Sequence, residues 1–245
     1  MDSLWGITFI GLMAGVLGTG AGGSMAFLLR KPSNWLLSSV MGLSSGLMIA
    51  VVTFELIPEA FMIGGVFLTS VGIGLGALLT SYLDKLISNI NRKDFNKKQG
   101  YIKTAILIGI GIALHNFPEG LAIGSGFAAQ NRLGVNLAIV IALHNMPEGI
   151  AMVGPMKMGG YSSRKSFVWT LLAGIPMGLG AFFGKIIGSY AYGLIGVCLA
   201  FAGGTMLYIT FGEMIPQGKE IYGGPISSLF SVLGFIIGMA ICKCF

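Results

Sequence analysis

Long apolar runs fill most of this chain and restrict it to folds that are stable in a lipid bilayer. A helix needs about 20 mostly apolar residues to cross the hydrocarbon core. Only 10% of the residues are charged, whereas a soluble domain carries about 25%. The sequence therefore predicts an all-α, polytopic membrane protein with eight spans, which we place at approximately 4–29, 36–58, 63–85, 102–127, 133–155, 167–189, 191–214 and 225–243.

The polar segments between these runs are short, so residues 1–245 are predicted to form a single transmembrane domain. The longest one is a cytoplasmic loop at about 86–101, whose basic residues either orient the protein in the membrane or contact anionic lipid. The first apolar run follows Met1-Asp2-Ser3 without a positively charged segment before it. We therefore expect a retained span and not a cleaved signal peptide.

The distribution of Lys and Arg predicts the orientation of the chain. With the N-terminus outside, every Lys and Arg except Arg132, Lys185 and Lys243 lies in or beside a cytoplasmic loop. Cytoplasmic loops of membrane proteins are enriched in these residues, which explains the net charge of +6 without a nucleic-acid partner. We predict a multi-pass protein of the plasma membrane, surrounded by lipid, with both termini outside.

A six-residue motif occurs in two successive apolar runs. It reads His-Asn-Phe-Pro-Glu-Gly at 115–120 and His-Asn-Met-Pro-Glu-Gly at 144–149, and the two copies contain both histidines of the chain. Ionisable residues inside membrane spans are costly, and such residues usually mark functional sites. The duplicated motif is therefore the first candidate for a binding site.

Each copy of the motif presents a histidine and a glutamate to one face of a helix, because residues four apart lie one above the other. Imidazole nitrogen and carboxylate oxygen are zinc ligands, and the same mixture suits Fe²⁺, Mn²⁺ and Co²⁺. Two facing helices of this kind resemble the helical bundles that hold metal pairs. The predicted ligands are His115, Glu119, His144 and Glu148, with the amides of Asn116 and Asn145 beside them.

The proline in each motif loosens the backbone at the same place. Pro118 and Pro147 have no N–H group, so the carbonyls of Leu114 and Leu143 lose their usual helical partners. Inside a membrane such a carbonyl must find water, an ion or another helix. Each motif therefore fits a helix that lines a polar path.

Three classes of function remain compatible with two histidines and two glutamates. The chain lacks the His-Glu-x-x-His pattern of zinc proteases, and no nucleophile or oxyanion arrangement is apparent. A membrane-embedded metal-dependent hydrolase and a channel-like pore or sensor are the alternatives. Exchangeable ligands on a path favour a transporter that is not an enzyme and carries no prosthetic group.

A second sequence repeat occurs once in the first part of the chain and once in the last part. Glu55-Leu56-Ile57-Pro58-Glu59 ends the second predicted span, and Glu213-Met214-Ile215-Pro216-Gln217 ends the seventh. In the predicted topology these two spans run in opposite directions. Spans one to three and six to eight are thus predicted to form an inverted repeat, which is typical of secondary transporters, with the fourth and fifth spans between them.

The paired motif resembles that of the ZIP (Zrt/Irt-like) family of divalent metal transporters, in particular its bacterial GufA-type branch. The resemblance covers essentially the whole chain. It implies eight helices in a 3+2+3 inverted-repeat arrangement and import of zinc into the cytoplasm, with Fe²⁺, Mn²⁺, Co²⁺ and Cd²⁺ as alternative ions. It also implies a binuclear metal site halfway through the membrane. The glycine-rich third and eighth spans can pack within one chain or between two, so a homodimer stays open.

The resemblance also assigns residues to roles. His115, Asn116, Glu119, His144, Asn145 and Glu148 match the metal ligands of the two central spans. Met48 matches a thioether position, while Glu55 and Glu213 match acidic positions on the ion pathway. The chain departs from the family at Met177, which replaces a glutamate, and Asn145 is neutral where some relatives have aspartate. The second metal position is therefore expected to be less anionic here.

Overall fold

The computed structural model describes residues 3–28, 33–90, 97–158, 160–190 and 192–244, and it describes the backbone alone at 87–90, 97–108, 111, 115, 151, 155, 158, 192 and 244. Over these residues all regular structure is helical, as predicted. The α-helices are α1 Leu4–Leu28, α2 Asn34–Val51, α3 Ile57–Ile90, α4 Lys97–Ala129, α5 Asn131–Met158, α6 Ser163–Tyr190, α7 Tyr192–Ile209, α8 Ile215–Ile221 and α9 Ile226–Cys244.

Six stretches of the described residues are long and apolar enough to cross a bilayer: Leu4–Leu28, Asn34–Leu86, Asn131–Gly154, Ser163–Tyr190, Gly193–Ile221 and Ile226–Lys243. Their outer surfaces expose large apolar side chains such as Trp5, Phe67 and Leu78. A soluble monomer rarely exposes so much apolar surface, whereas a bilayer accommodates it. The prediction of a helical membrane protein is thereby confirmed.

The predicted span ends near the two Ile-Pro sequences were wrong, because the helix continues through each proline. Val52–Leu56 and Thr210–Met214 are π-helical, and the N–H groups of Ile57 and Ile215 donate five residues back, to Val52 and Thr210. The residue before each proline donates one residue further back than in an α-helix. The helix therefore continues although the proline that follows has no N–H group to donate.

The second and third predicted spans therefore meet without a loop between them. The helical path through α2 and the first π segment continues into α3 and turns only at Gly65, whose φ of 66° and ψ of 179° interrupt that helix. Such a backbone conformation is essentially restricted to glycine. The boundary between the sixth and seventh spans is where the sequence predicted it, since α6 ends at Tyr190 and α7 begins at Tyr192.

The helices pack as two groups. In the first group α4 lies against α6 and α5 lies against α1; in the second, α3 lies against α7 and α2 lies against α9. The groups meet where α2 contacts α5 and where α4 contacts α7. The main apolar core crosses this boundary and includes Met48, Ile123, Leu137 and Leu199.

Glycines allow the backbones of the first group to touch. A Cβ added at Gly120 would collide with the carbonyl oxygen of Met177, and one added at Gly180 would collide with that of Phe117. Small residues permit this close approach, and van der Waals contact of this kind drives helix association in membranes. The high glycine content thus holds α6 directly against the motif-bearing helix α4.

We predict that Gly184→Val destabilises the protein, because a Cβ there would collide with the carbonyl oxygen of Leu121 on α4. Overpacking of this kind costs about 1–3 kcal/mol or more. The matched control is Gly74→Val, where nothing lies within 4 Å of the added Cβ. Thermal unfolding in detergent should show a lower Tm for Gly184→Val alone. Equal shifts in both variants would contradict this packing argument.

Candidate metal centre

The two copies of the motif lie side by side in the middle of antiparallel helices. Only Gln130 separates α4 from α5, so the two helices must reverse direction and pack together. Residues at similar distances from this turn come to the same depth, which pairs the first motif with the second. Both helices remain continuous through Pro118 and Pro147.

Three of the four predicted His and Glu ligands form a buried triad. One potential ligand atom from each of Glu119, His144 and Glu148 lies within 4.8 Å of the other two. The His144 Nε2 atom is 2.9 Å from Glu119 Oε1. Glu119 and His144 have no exposed surface, and Glu148 is 4% exposed. Among the described residues this is the one group of His, Cys, Asp or Glu side chains with this spacing.

The donor set of the triad fits a divalent cation. Glu119 Oε2 is buried and has no hydrogen-bond partner among the described residues, and a buried acceptor in that state costs about 1–3 kcal/mol or more. Two carboxylates that share a site repel one another unless a positive charge or a proton lies between them. A cation bound by both carboxylates and the imidazole removes both penalties.

His115 is the predicted fourth ligand, and its side chain lies outside the described part of the structure. Its backbone belongs to α4, one helical turn before Glu119. Side chains at this spacing share a face of a helix, so the position is compatible with the triad. The role of His115 as a ligand stays a prediction.

The two motif asparagines form a hydrogen-bonded chain beside the triad. Asn145 Nδ2 donates to Asn116 Oδ1 at 3.2 Å, and Asn116 Nδ2 donates to the Ala173 carbonyl at 2.7 Å. Both asparagines are fully buried. The chain therefore ties α5 to α4 and α4 to α6 without any net charge.

Met48 lies on the α2 face that meets the second motif. Ser44, one turn earlier on α2, donates from its hydroxyl to the His144 carbonyl at 3.2 Å. The Met48 sulfur is fully buried and lies 3.7 Å from Thr210 Oγ1, on the second π segment. The contacts thus place Met48 in the second helix group, one turn from the serine that bonds to the His144 backbone.

The remaining predicted site residues lie outside the triad. Glu55 and Glu213 are half-buried, one on each π segment. Met177 is fully buried in the main apolar core with Ile7 and Ala14. The structure therefore gives these three residues no place among the triad ligands.

Sequence reasoning missed two groups that contact the motifs. The Ser44 hydroxyl binds the backbone of His144, and the Ala173 carbonyl accepts the Asn116 amide. The serine pair at 44 and 45, inside an apolar run, was a usable signal because polar side chains in spans often bond across helices. Nothing in the sequence singles out a backbone carbonyl such as that of Ala173.

Comparison of the sequence with known proteins identifies a family and several relatives. Residues 90–243 match the model of the Zip family, which is described as ZIP Zinc transporter. The chain is 34% identical over 224 residues to Zinc transporter ZupT of Escherichia coli O7:K1 (strain IAI39 / ExPEC), with 87% of this chain and 83% of the relative covered. The same values hold for Zinc transporter ZupT of Shigella flexneri serotype 5b (strain 8401).

We predict that Glu119→Gln and His144→Ala each weaken Zn²⁺ binding by at least about 100-fold, because loss of even an outer partner of a metal ligand typically costs 10–100-fold. Zinc titration of purified protein by calorimetry measures the change in Kd. The matched carboxylate control is Glu220→Gln on α8, which is exposed and should bind zinc as the unmodified protein does. Unchanged affinity in both triad variants would refute the assignment.

Proposed function

The chain belongs to the ZIP family of zinc transporters, and from this membership we propose that it carries zinc ions across the membrane into the cytoplasm through the buried triad. Membership of a transporter family also decides against the hydrolase alternative. The observation that carries the proposal is the convergence of Glu119, His144 and Glu148 between α4 and α5.

The chemistry of the triad suits a transported ion. An incoming Zn²⁺ exchanges its water ligands for two carboxylates and an imidazole, which together bring two negative charges. The resulting complex is electrically neutral, and a neutral group is far less costly to bury than a charged one. Binding also replaces the contact between His144 Nε2 and Glu119 Oε1, so the empty and loaded forms each satisfy these atoms in a different way.

Transport requires a conformational change, because the triad is buried in this conformation. In secondary transporters, one group of helices moves against another around a fixed site. The two groups of this fold supply that division: the triad belongs to the first, while Ser44 of the second bonds to the backbone carbonyl of His144. We propose that movement along this boundary exposes the triad to each side in turn.

We also propose the finer topology, eight spanning helices in a 3+2+3 inverted repeat. The packing supports it, since the contact of α2 with α9 is matched by that of α7 with α3 when the two halves are exchanged. The contact of α4 with α6 is likewise matched by that of α5 with α1. The two π segments support it too, because each immediately precedes an Ile-Pro sequence.

The cellular setting is proposed from the charges and the composition. We propose a plasma-membrane location, and the Lys and Arg distribution supports an orientation with both termini outside. Zinc is the favoured ion, and the ligand types also accept Fe²⁺, Mn²⁺, Co²⁺ and Cd²⁺. A homodimer stays a proposal, because glycines of the third and eighth predicted spans, such as Gly76 and Gly234, pack against α7 and α2 of the same chain.

The outer and inner approaches to the triad are proposed to use Glu55 and Glu213. In the first π segment, Ile57 N–H donates to Val52 and Pro58 has no N–H, so the Thr53 carbonyl lacks both candidate backbone donors. In the second π segment, Ile215 N–H donates to Thr210 and Pro216 has no N–H, so the Phe211 carbonyl likewise lacks both donors. A carbonyl and a nearby carboxylate make a weak cation site, which suits an ion that must move on.

The further ligand roles remain those that the resemblance implies. His115 is proposed as the fourth ligand of the triad. Met48 is proposed as a thioether contact from α2, because its neighbour Ser44 already touches the backbone of His144. The resemblance assigns Asn116, Asn145 and Met177 to the position of a second ion.

Zinc uptake into liposomes that contain the purified protein tests the proposal. We expect saturable uptake that His144→Ala and Glu148→Ala abolish, because each substitution removes a triad ligand. His115→Ala should have the same effect if this residue completes the triad. The same assay with Fe²⁺, Mn²⁺ and Cd²⁺ reports the selectivity.

Glu220→Gln is the control for this assay and should leave uptake unchanged. Uptake that persists at full rate in both triad variants would refute the proposed route. Uptake that rises linearly with zinc concentration, without saturation, would favour a channel-like pore.

A further inference from the structure

The charge of the buried triad matches one divalent cation. Glu119 and Glu148 supply two negative charges, and neutral His144 supplies none. Among the described residues no other carboxylate belongs to this group. A second divalent ion beside the first would leave two uncompensated positive charges inside an apolar bundle, which is strongly unfavourable. The charge balance alone therefore favours a single ion.

The asparagine chain occupies the side of the triad that faces α6, and its hydrogen-bonding groups are largely in use. Asn116 accepts from Asn145 and donates to the Ala173 carbonyl. Asn116 Oδ1 could bind an ion only by giving up its bond to Asn145. Asn145 Oδ1 has no hydrogen-bond partner among the described residues. This one neutral oxygen does not balance a second charge.

Met177 adds an uncharged side chain beside the asparagine chain. A Cβ at Gly15 of α1 would lie 2.9 Å from the Met177 Cβ, and one at Gly18 would lie 2.9 Å from the Asn145 Cβ. Gly15 and Gly18 are one turn apart on a single face of α1. Asn145 and Met177 therefore lie next to one another against that face, and Met177 is packed into the apolar core.

We infer that each chain holds one divalent cation at a time, and that Asn116, Asn145 and Met177 form a neutral wall that excludes a second ion. The inference rests on the proposed function, because it concerns the ion held by the same triad. The wall replaces charge with hydrogen bonds and apolar packing. It joins α4, α5 and α6 firmly while leaving the triad as the one anionic group between them in the described part of the chain.

Native mass spectrometry of the untagged protein in detergent, with Zn²⁺ and separately with Cd²⁺, counts the ions bound per chain. We expect one ion, which Glu119→Gln removes and Glu220→Gln retains. Two ions per chain in the unmodified protein would overturn the inference and leave the proposed function standing. No bound ion at any concentration up to the millimolar range would instead overturn the proposed function.

The double variant Asn145→Asp with Met177→Glu tests the wall directly. It adds two negative charges beside the triad, so we expect the count to rise from one ion to two. The matched control, Gln217→Glu with Gly223→Glu, adds two charges at exposed positions and should still bind one ion. Circular dichroism and size-exclusion chromatography establish that each variant is folded.

A folded double variant that binds only one ion would overturn the assignment of Asn145 and Met177 as the excluding residues. If the double variant does not fold, the ion count of the unmodified protein decides the question by itself.

Discussion

The burial of two carboxylates beside a histidine is the constraint on which the rest of this structure depends. Glu119, His144 and Glu148 lie in the interior of an apolar bundle, where an uncompensated charge is prohibitively unfavourable. A fold can keep such a group only if a cation, a proton or a hydrogen bond compensates it. In the proposed function, the arriving cation supplies this compensation.

The surrounding helices pack closely around this cluster. Gln130 joins α4 and α5 so closely that the two motifs must face each other. Glycines on α1, α4 and α6 bring backbones into direct contact, which leaves little room for water. The asparagine chain then links three of the four helices of the first group through uncharged bonds.

The prolines of the two helix groups lie in different local structures. Pro118 and Pro147 lie within continuous α-helices beside the triad, whereas Pro58 and Pro216 follow π segments in the second group. The π register shifts the hydrogen bonds by one residue and leaves carbonyls without their usual donors. Proline thus occurs within continuous α-helices in one group and directly after π segments in the other.

The sequence by itself determined the membrane class, the position of the central motifs and three predicted ligands, Glu119, His144 and Glu148, that come together in the structure. These depend on local features: the length of apolar runs, the spacing of residues four apart, and the rarity of ionisable residues in a span. Only the tertiary structure decided where α2 and α7 continue through a proline, since a π turn and a helix end share the same Ile-Pro signal. It also decided that Met177 packs into the apolar core and that Asn116 bonds to Ala173, 57 positions away in sequence. Such contacts depend on how helices that are distant in the sequence approach each other. No local sequence pattern specifies that approach.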